Sequence, residues 1–184
     1  MKKPLLFARD LVATSLKPSG FAIDATCGNG HDTLFLAETV GPHGSVLAID
    51  VQAVAITNTR NKLAEAGLLH RVELTQTGHE NLVHYLDRDV DAVMFNLGFL
   101  PGGDHEIKTS ADTTVSALQT VMTRLAPKGI ITLVIYTGHD GGSMEYDAVR
   151  NYLSTLPQRD FTVLEYQFIN QINNPPLLLA VTRL

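Results

Sequence analysis

One stretch near the N-terminus limits what this chain can fold into more than any other. Residues 21–26 (FAIDAT) form an apolar run, Gly28 and Gly30 follow it, and residues 33–40 carry apolar positions at helical spacing. An apolar run of this length fits a buried parallel strand, and the glycines permit a tight turn whose backbone a ligand can approach. The helix that follows offers free N–H groups in its first turn. The stretch therefore predicts a strand, a glycine turn and a helix, with a ligand at the turn.

The spacing of the turn residues favours one class of ligand. Counted from Gly28, the third small position of a dinucleotide G-x-G-x-x-G fingerprint falls on Thr33, which is a poor fit. The pattern D-x-T-x-G-x-G at 24–30 resembles motif I of class I S-adenosylmethionine (SAM) methyltransferases, with Thr26 where those enzymes often carry glycine. Asp24 is then expected to anchor the ammonium group of SAM, directly or through water. A tight connection without a ligand is the alternative.

A second acid supports a cofactor site. Residues 45–50 (SVLAID) read as a strand that ends in the carboxylate of Asp50. Rossmann-type sites carry such an acid about 20 residues beyond the glycines, where it accepts hydrogen bonds from ribose hydroxyls. Asp50 could instead cap the helix that is predicted to begin near Gln52. The glycine turn and the acid together favour ribose binding.

Composition and charge narrow the class of protein. The chain has 184 residues, 45% of them hydrophobic, and a formal net charge of −5. We expect one domain over residues 1–184, with an N-terminal helix within residues 1–20 packing on it. The charge argues against a broad basic surface for nucleic acid but leaves a locally contacted RNA open.

Cysteine usage and hydropathy indicate the compartment. The only cysteine, Cys27, excludes an internal disulfide framework. The N-terminal stretch does not fit a secretion signal, and no apolar run reaches the roughly 18 residues that a membrane span needs. We therefore expect a cytoplasmic protein without membrane contact.

The remaining pattern predicts an α/β fold. Helical periodicity predicts further helices at 4–16, 52–66, 109–125 and 144–156, and apolar runs predict further strands at 71–76, 93–95, 129–137, 161–169 and 177–184. Alternating strands and helices favour a mostly parallel sheet with helices on both faces. The last two strands follow each other as a hairpin. A seven-stranded, mostly parallel sheet with an antiparallel last strand is the Rossmann-like fold of class I methyltransferases.

Two glycine-rich loops follow predicted strands, at residues 96–104 (NLGFLPGGD) and 138–143 (GHDGGS). Ligands of parallel sheets bind outside the carboxyl ends of the strands. Amino-group methyltransferases often carry N-P-P-Y or D-P-P-Y in the first of these loops, where the polar residue accepts a hydrogen bond from the target amine and the aromatic residue stacks on its base. Asn96 and Phe99 offer these residue types without the prolines. Asn96 is thus the best candidate for orienting an acceptor amine, with a structural turn role as the alternative.

Four motifs in order along the chain carry a more specific resemblance. They are D-A-T-C-G-N-G-H-D-T at 24–33, N-L-G-F-L-P-G-G-D at 96–104, Y-T-G-H-D-G-G at 136–142 and N-N-P-P-L-L at 173–178. Together they resemble the YtqB/MnmM-like family of small bacterial methyltransferases, also labelled the putative rRNA methylase family. Members with an assigned activity are tRNA methyltransferases that convert wobble 5-aminomethyl-2-thiouridine to its 5-methylaminomethyl form.

The resemblance implies SAM as cofactor and the anticodon loop of tRNA as partner. An rRNA or small-molecule N-methyltransferase and a non-catalytic SAM-binding module are the alternatives. A homodimer is one way to enlarge the RNA-binding surface of so small a protein. A modest basic rim is a candidate RNA contact, formed by Lys2, Lys3, Arg9, Lys17 and Lys108.

The predicted site residues form three groups. The cofactor group is Asp24, Thr26, Cys27, Gly28, Asn29, Gly30, His31, Asp32, Thr33, Asp50, Val51, Gln52, Gly78, His79, Asn96 and Leu97. The substrate group is Phe99, Pro101, Gly102, Gly103 and Tyr136. The catalytic group is Asn96, Asp104 and His139, with His105 and Asp140 as further polar candidates. Methyl transfer to an amine needs alignment and a proton acceptor but neither a metal nor a covalent nucleophile, so we expect no metal and disfavour methylation of a ring carbon through Cys27.

Overall fold

The computed structural model describes residues 1–104 and 106–184, whose strands join in one sheet. The strands are β1 (Phe21–Asp24), β2 (Ser45–Asp50), β3 (Val72–Gln76), β4 (Val90–Leu97), β5 (Leu125–Ile135), β6 (Phe161–Tyr166) and β7 (Leu177–Arg183). Their order across the sheet is β3-β2-β1-β4-β5-β7-β6. The first five strands pair in parallel, whereas β7 runs antiparallel between β5 and β6. The predicted sheet with its antiparallel last strand is confirmed.

Helices cover both faces of this sheet. They are α1 (Pro4–Ser15), α2 (His31–Val40), α3 (Ala53–Glu65), α4 (Ala111–Met122) and α5 (Gly142–Ser154), with short 3-10 helices at Leu69–Arg71 and His79–His84. Successive side chains of a strand point to opposite faces. Val93 accordingly packs with α4 and α5, and its neighbour Met94 packs with α1 and α2. None of the helices in the described part of the chain is long and apolar enough to cross a membrane.

Helix α1 lies on the face of the sheet, against β4, β5 and β7. Ala8 and Val12 are completely buried there, in the same cluster as Met94 and Val134. Pro4 suits the first turn because that position has no intrahelical use for an N–H group. The sequence left open whether this helix covers a sheet edge or the ligand site. It covers interior strands, and its inner face also reaches the cavity described below.

The strand order reverses at β1, which has β2 on one side and β4 on the other. A crevice opens at the carboxyl ends of these strands, as is usual for open α/β sheets. β1 ends at Asp24, two residues before the predicted end, and α2 begins at His31 instead of Thr33. The intervening turn stays bonded to both neighbouring strands: Ala25 N donates to Met94 O at 2.9 Å, and Cys27 N donates to Ile49 O at 2.9 Å.

Candidate active site

A cavity of about 530 Å³ occupies this crevice. Its walls are the turn between β1 and α2, the residues that follow β2 and β3, the end of β4, and the loop 98–110. Polar groups converge on it from three strand ends. A concave site with these features at the switch point of an α/β sheet is the expected place for a ligand.

Most predicted cofactor residues line the cavity, namely Thr26, Cys27, Gly28, Asn29, His31, Asp32, Asp50, Val51, Gln52, Gly78, His79 and Asn96. The four others are buried and do not line it: Asp24, Gly30, Thr33 and Leu97. Of the substrate group, Phe99, Pro101 and Tyr136 line the cavity, whereas Gly102 and Gly103 do not. The structure thus brings together residues that are far apart in the sequence, and their contacts with a ligand stay a prediction.

Asp50 joins the two halves of the predicted cofactor site. Its Oδ2 accepts a hydrogen bond from Gly28 N at 3.0 Å, and its Oδ1 accepts one from Gln52 N at 2.9 Å. Burial raises the pKa of this carboxyl group, and the backbone hydrogen bonds from Gln52 and Gly28 partly offset that effect. Each carboxylate oxygen still has a free lone pair. Asp50 can therefore stabilise the turn and the start of α3 while accepting hydrogen bonds from a ligand in the cavity.

Asp24 does not line the cavity, although its motif predicts that it anchors the cofactor directly or through water. Its side chain is fully buried, and it accepts hydrogen bonds from Thr33 Oγ1 at 2.6 Å and Thr26 N at 3.2 Å. Burial, together with the charge of Asp32, raises the pKa of Asp24 to about 7. The carboxyl group of Asp24 lies behind the cavity wall, so it does not face a ligand in the cavity directly. Asp24 holds the turn and the first residues of α2 in place.

Asn96, at the end of β4, is part of a buried polar network at the cavity wall. Its side-chain nitrogen donates to Asp32 Oδ2 at 2.5 Å, and Asp32 Oδ1 accepts from Arg9 Nε at 2.6 Å. The backbone N–H of Asn96 donates to Thr26 Oγ1 at 2.7 Å. Asp32 and Arg9 both line the cavity beside Asn96. The network therefore ties the glycine turn, α1 and α2 to the end of β4.

Among the other catalytic candidates, Asp104, His139 and Asp140 do not line the cavity. The carboxylate of Asp104 accepts a hydrogen bond from Glu106 N at 2.9 Å. His139 Nδ1 lies 3.0 Å from Asp140 O, and the His139 ring meets the Phe99 ring edge-on at 6.1 Å. His105 lies outside the described residues. Asn96 is thus the one member of the catalytic group that reaches the cavity.

The thiol of Cys27 is unsuited to nucleophilic catalysis. Cys27 is buried in the glycine turn, and burial together with the charge of Asp24 raises the pKa of its thiol far above the ordinary value. A thiol in such surroundings stays protonated at neutral pH. Within residues 1–104 and 106–184, no three His, Cys, Asp or Glu side chains are grouped so that they could hold a metal ion.

The loop 98–110 closes one side of the cavity. Phe99 pairs with Lys108 through an isolated antiparallel bridge, and Thr109 N donates to Gly98 O at 3.0 Å. Gln52 fastens the loop to the residues after β2, because its Oε1 accepts from Asp104 N at 3.2 Å. The loop therefore lies across the carboxyl ends of β2 and β4.

The predicted cofactor, substrate and catalytic groups left out cavity residues from five regions. They are Leu5 and Arg9 of α1, Ala25 in the turn, Thr77 and Glu80 after β3, Gly98, Leu100, Ile107, Lys108, Thr109 and Ser110 in the loop, and Thr113 of α4. Arg9 carried the one usable signal, since it is a cation inside the apolar pattern of α1 (PLLFARDLVATS). The others have no sequence pattern that distinguishes them from ordinary loop or helix residues.

Comparison of the sequence with known protein families shows which family this chain belongs to. Residues 46–182 match the family described as "Putative rRNA methylase". The chain belongs to this rRNA methylase family. A curated relative outside the bacteria is the chloroplastic tRNA (mnm(5)s(2)U34)-methyltransferase of Arabidopsis thaliana, which is 39% identical over 171 residues, or 88% of this chain. The chain spans only 62% of the length of that relative.

Solved structures include close matches to this member of the rRNA methylase family. The crystal structure of a putative rRNA methylase from Clostridium thermocellum is 44% identical, with a TM-score of 0.97 over 100% of this chain and 99% of that chain. A putative methyltransferase from Streptococcus mutans, solved in complex with SAH, is 37% identical, with a TM-score of 0.92 over 100% and 99% of the two chains. Both matches cover the whole sheet and the cavity at its edge.

Proposed function

We propose that this protein is a SAM-dependent tRNA methyltransferase that methylates the exocyclic amine of wobble 5-aminomethyl-2-thiouridine, giving 5-methylaminomethyl-2-thiouridine. The observation that carries the proposal is the orientation of Asn96 in the cavity wall. Because its side-chain nitrogen donates to Asp32, its amide oxygen is left to accept a hydrogen bond from a donor in the cavity. A primary amine is such a donor. The printed function of the Arabidopsis relative supports the choice of nucleoside.

The residues of the cavity fit SAM. Gly28 has a φ of 50° and lines the cavity with bare backbone, which suits close approach by the amino-acid part of SAM. The Asp50 carboxylate suits the ribose hydroxyls. SAM supplies, when bound, an electrophilic methyl group. The SAH complex of the Streptococcus mutans relative supports the same cofactor here.

The chain's own contribution to the reaction is alignment. Asn96 orients the amine through its amide oxygen, and the walls of the cavity hold the amine near the cofactor side. No covalent enzyme nucleophile is required for transfer to an amine. The protonated thiol of Cys27 accordingly favours amine methylation over methylation of a pyrimidine ring carbon, which usually relies on a catalytic cysteine.

The rim of the cavity offers an anticodon loop aromatic and apolar side chains to stack on, and little positive charge. Phe99, Ile107 and Tyr136 line the cavity and are each 41% exposed, so splayed bases can stack or pack on them. Arg9 of the expected basic rim also pairs with Asp32, so its charge is partly neutralised within the protein. With a net charge of −5, a small local RNA contact is the consistent mode of binding.

The decisive test uses two preparations of bulk tRNA from cells that lack the wobble methyl group. One carries 5-aminomethyl-2-thiouridine, and the other carries unmodified wobble uridine. Incubation with methyl-labelled SAM, digestion and nucleoside mass analysis should place label in 5-methylaminomethyl-2-thiouridine in the first preparation only. SAH binding without label in any nucleoside of either preparation would overturn the tRNA assignment and favour an rRNA or a small-molecule acceptor.

We also propose that the protein works as a cytoplasmic homodimer. β6 forms one end of the sheet and exposes Val163 and Leu164, and the segment after it exposes Ile169 and Ile172. An exposed apolar strand edge favours association with another chain. The free thiol of Cys27 suits a reducing compartment. Light scattering should give twice the chain mass of 20.0 kDa, and the mass of a single chain at micromolar concentration would exclude the dimer.

A further inference from the structure

Both oxygens of the Asp32 carboxylate accept hydrogen bonds, one from a residue of α1 and the other from a residue of β4. Arg9 Nε donates to Oδ1 at 2.6 Å, and Asn96 Nδ2 donates to Oδ2 at 2.5 Å. We propose that Arg9 is a positioning residue for methyl transfer: acting through Asp32, it keeps the amide of Asn96 turned with its oxygen toward the acceptor. This inference rests on the function proposed above, and it adds a residue of α1 to the working site.

The charge of Arg9 matters because Asp32 is almost completely buried, at 5% exposure. A buried carboxylate without a charged partner is costly, so Asp32 needs the Arg9 guanidinium beside it. An ionised carboxylate can only accept hydrogen bonds, so Asn96 must present its NH₂ group to it. Loss of Arg9 removes the donor on Oδ1, so the carboxylate can turn away from Asn96 and the released amide can turn by half a rotation. The NH₂ group would then face the cavity and meet the N–H groups of the amine. Two hydrogen-bond donors cannot bond to each other, so the amine would lose its partner.

Arg9 is itself held in place. Its neighbours Ala8 and Val12 anchor α1 to the sheet, and its guanidinium carbon lies 5.7 Å from the centre of the Phe35 ring on α2. The Arg9 side chain is 27% exposed, so the ion pair is partly shielded from solvent. Partial burial makes such a pair a more dependable positioning contact than a fully exposed one.

The backbone of Asn96 does not depend on Arg9. Its N–H donates to Thr26 Oγ1, and β4 pairs with β5 up to Leu97. Loss of Arg9 should therefore leave the residue where it is and change only the orientation of its side chain. Such a change would reduce turnover more than cofactor affinity.

The test compares Arg9→Met, which removes the charge but keeps an apolar stem, with Arg9→Lys, which restores a charge. The matched control is Arg159→Met, because it makes the same change at an arginine whose Nε forms an exposed ion pair, with Asp160. For each variant, kcat and KM are measured with aminomethyl tRNA, SAH affinity by calorimetry, and the Asn96 side-chain amide by ¹⁵N–¹H NMR. Arg9→Met should lower kcat by roughly 10- to 100-fold with SAH affinity within about threefold. Its Asn96 amide signals should shift.

Arg9→Lys should recover most of the turnover and the wild-type amide signals, and Arg159→Met should behave as wild type throughout. Unchanged turnover or unshifted Asn96 signals in Arg9→Met would overturn the inference, and so would a parallel loss of SAH affinity. If Arg9→Met does not fold, Asp32→Asn tests the same step, because its amide lets Asn96 turn. If the wild-type protein methylates no tRNA, the proposed function fails, while the NMR signals still decide whether Arg9 orients Asn96.

Discussion

Replacing Asn96 by alanine is expected to lower kcat for methyl transfer by about 100-fold or more while changing SAH affinity by less than about threefold. The substitution removes the amide oxygen that orients the amine, and it also leaves Asp32 without one of its two donors. The backbone contacts of residue 96 with Thr26 stay in place, so the cavity keeps its shape. Steady-state kinetics with aminomethyl tRNA and calorimetry with SAH measure the two effects separately.

The matched control for this substitution is Asn151→Ala. Asn151 is exposed on α5, and the same chemical change there should alter neither turnover nor SAH affinity. Equal losses of turnover and SAH affinity in Asn96→Ala would show that Asn96 holds the cofactor instead of the acceptor. Unchanged turnover would remove Asn96 from the site altogether and would leave the amine without a recognised partner on β4.

Replacing Gly30 by alanine is expected to destabilise the fold by roughly 2–5 kcal/mol. Gly30 has a φ of 77°, and a Cβ at this position would lie 2.8 Å from Thr59 Cα and 3.2 Å from Thr59 Cβ. The left-handed backbone strains any residue with a side chain, and the contact would push α3 away from the glycine turn. Because Asp50 and Gln52 connect that turn to α3, SAH affinity should fall with stability. Urea unfolding with linear extrapolation measures the change in free energy.

Gly41→Ala separates strain from steric clash. Gly41 has a φ of 69°, but a Cβ there would meet no atom within 4 Å. Its substitution should cost only about 1–2 kcal/mol, from backbone strain alone. Equal destabilisation in the two variants would mean that α3 moves aside without cost, and the close packing of Thr59 on the turn would then not matter for the cofactor site.

The elements were predictable where a local pattern decides the structure. The apolar run at 45–50 and the alternating segment at 72–76 are strands because their side chains have helices or core to pack against. Gly67 follows the end of α3 in a left-handed conformation. The ends of elements were less predictable. β1 stops at Asp24, although Ala25 N and Cys27 N still donate to Met94 O and Ile49 O of the neighbouring strands, and no pattern within the turn specifies where the regular pairing ends.

By itself, the sequence determined the glycine turn, the acid after the second strand, the order of strands and helices, and Asn96 at the tip of β4. Each of these depends on residue types at short spacing, which backbone geometry translates directly into local structure. Only the tertiary structure decided that Asp24 lies behind the cavity wall, that Asp50 bonds to both Gly28 and Gln52, and that Arg9 meets Asp32 beside Asn96. Apart from the local bond between Asp50 and Gln52, those contacts join residues 22 to 64 positions apart. They form because parallel strands bring their carboxyl ends to one edge and α1 packs over the neighbouring face, and burial then selects the charged partners that satisfy each other.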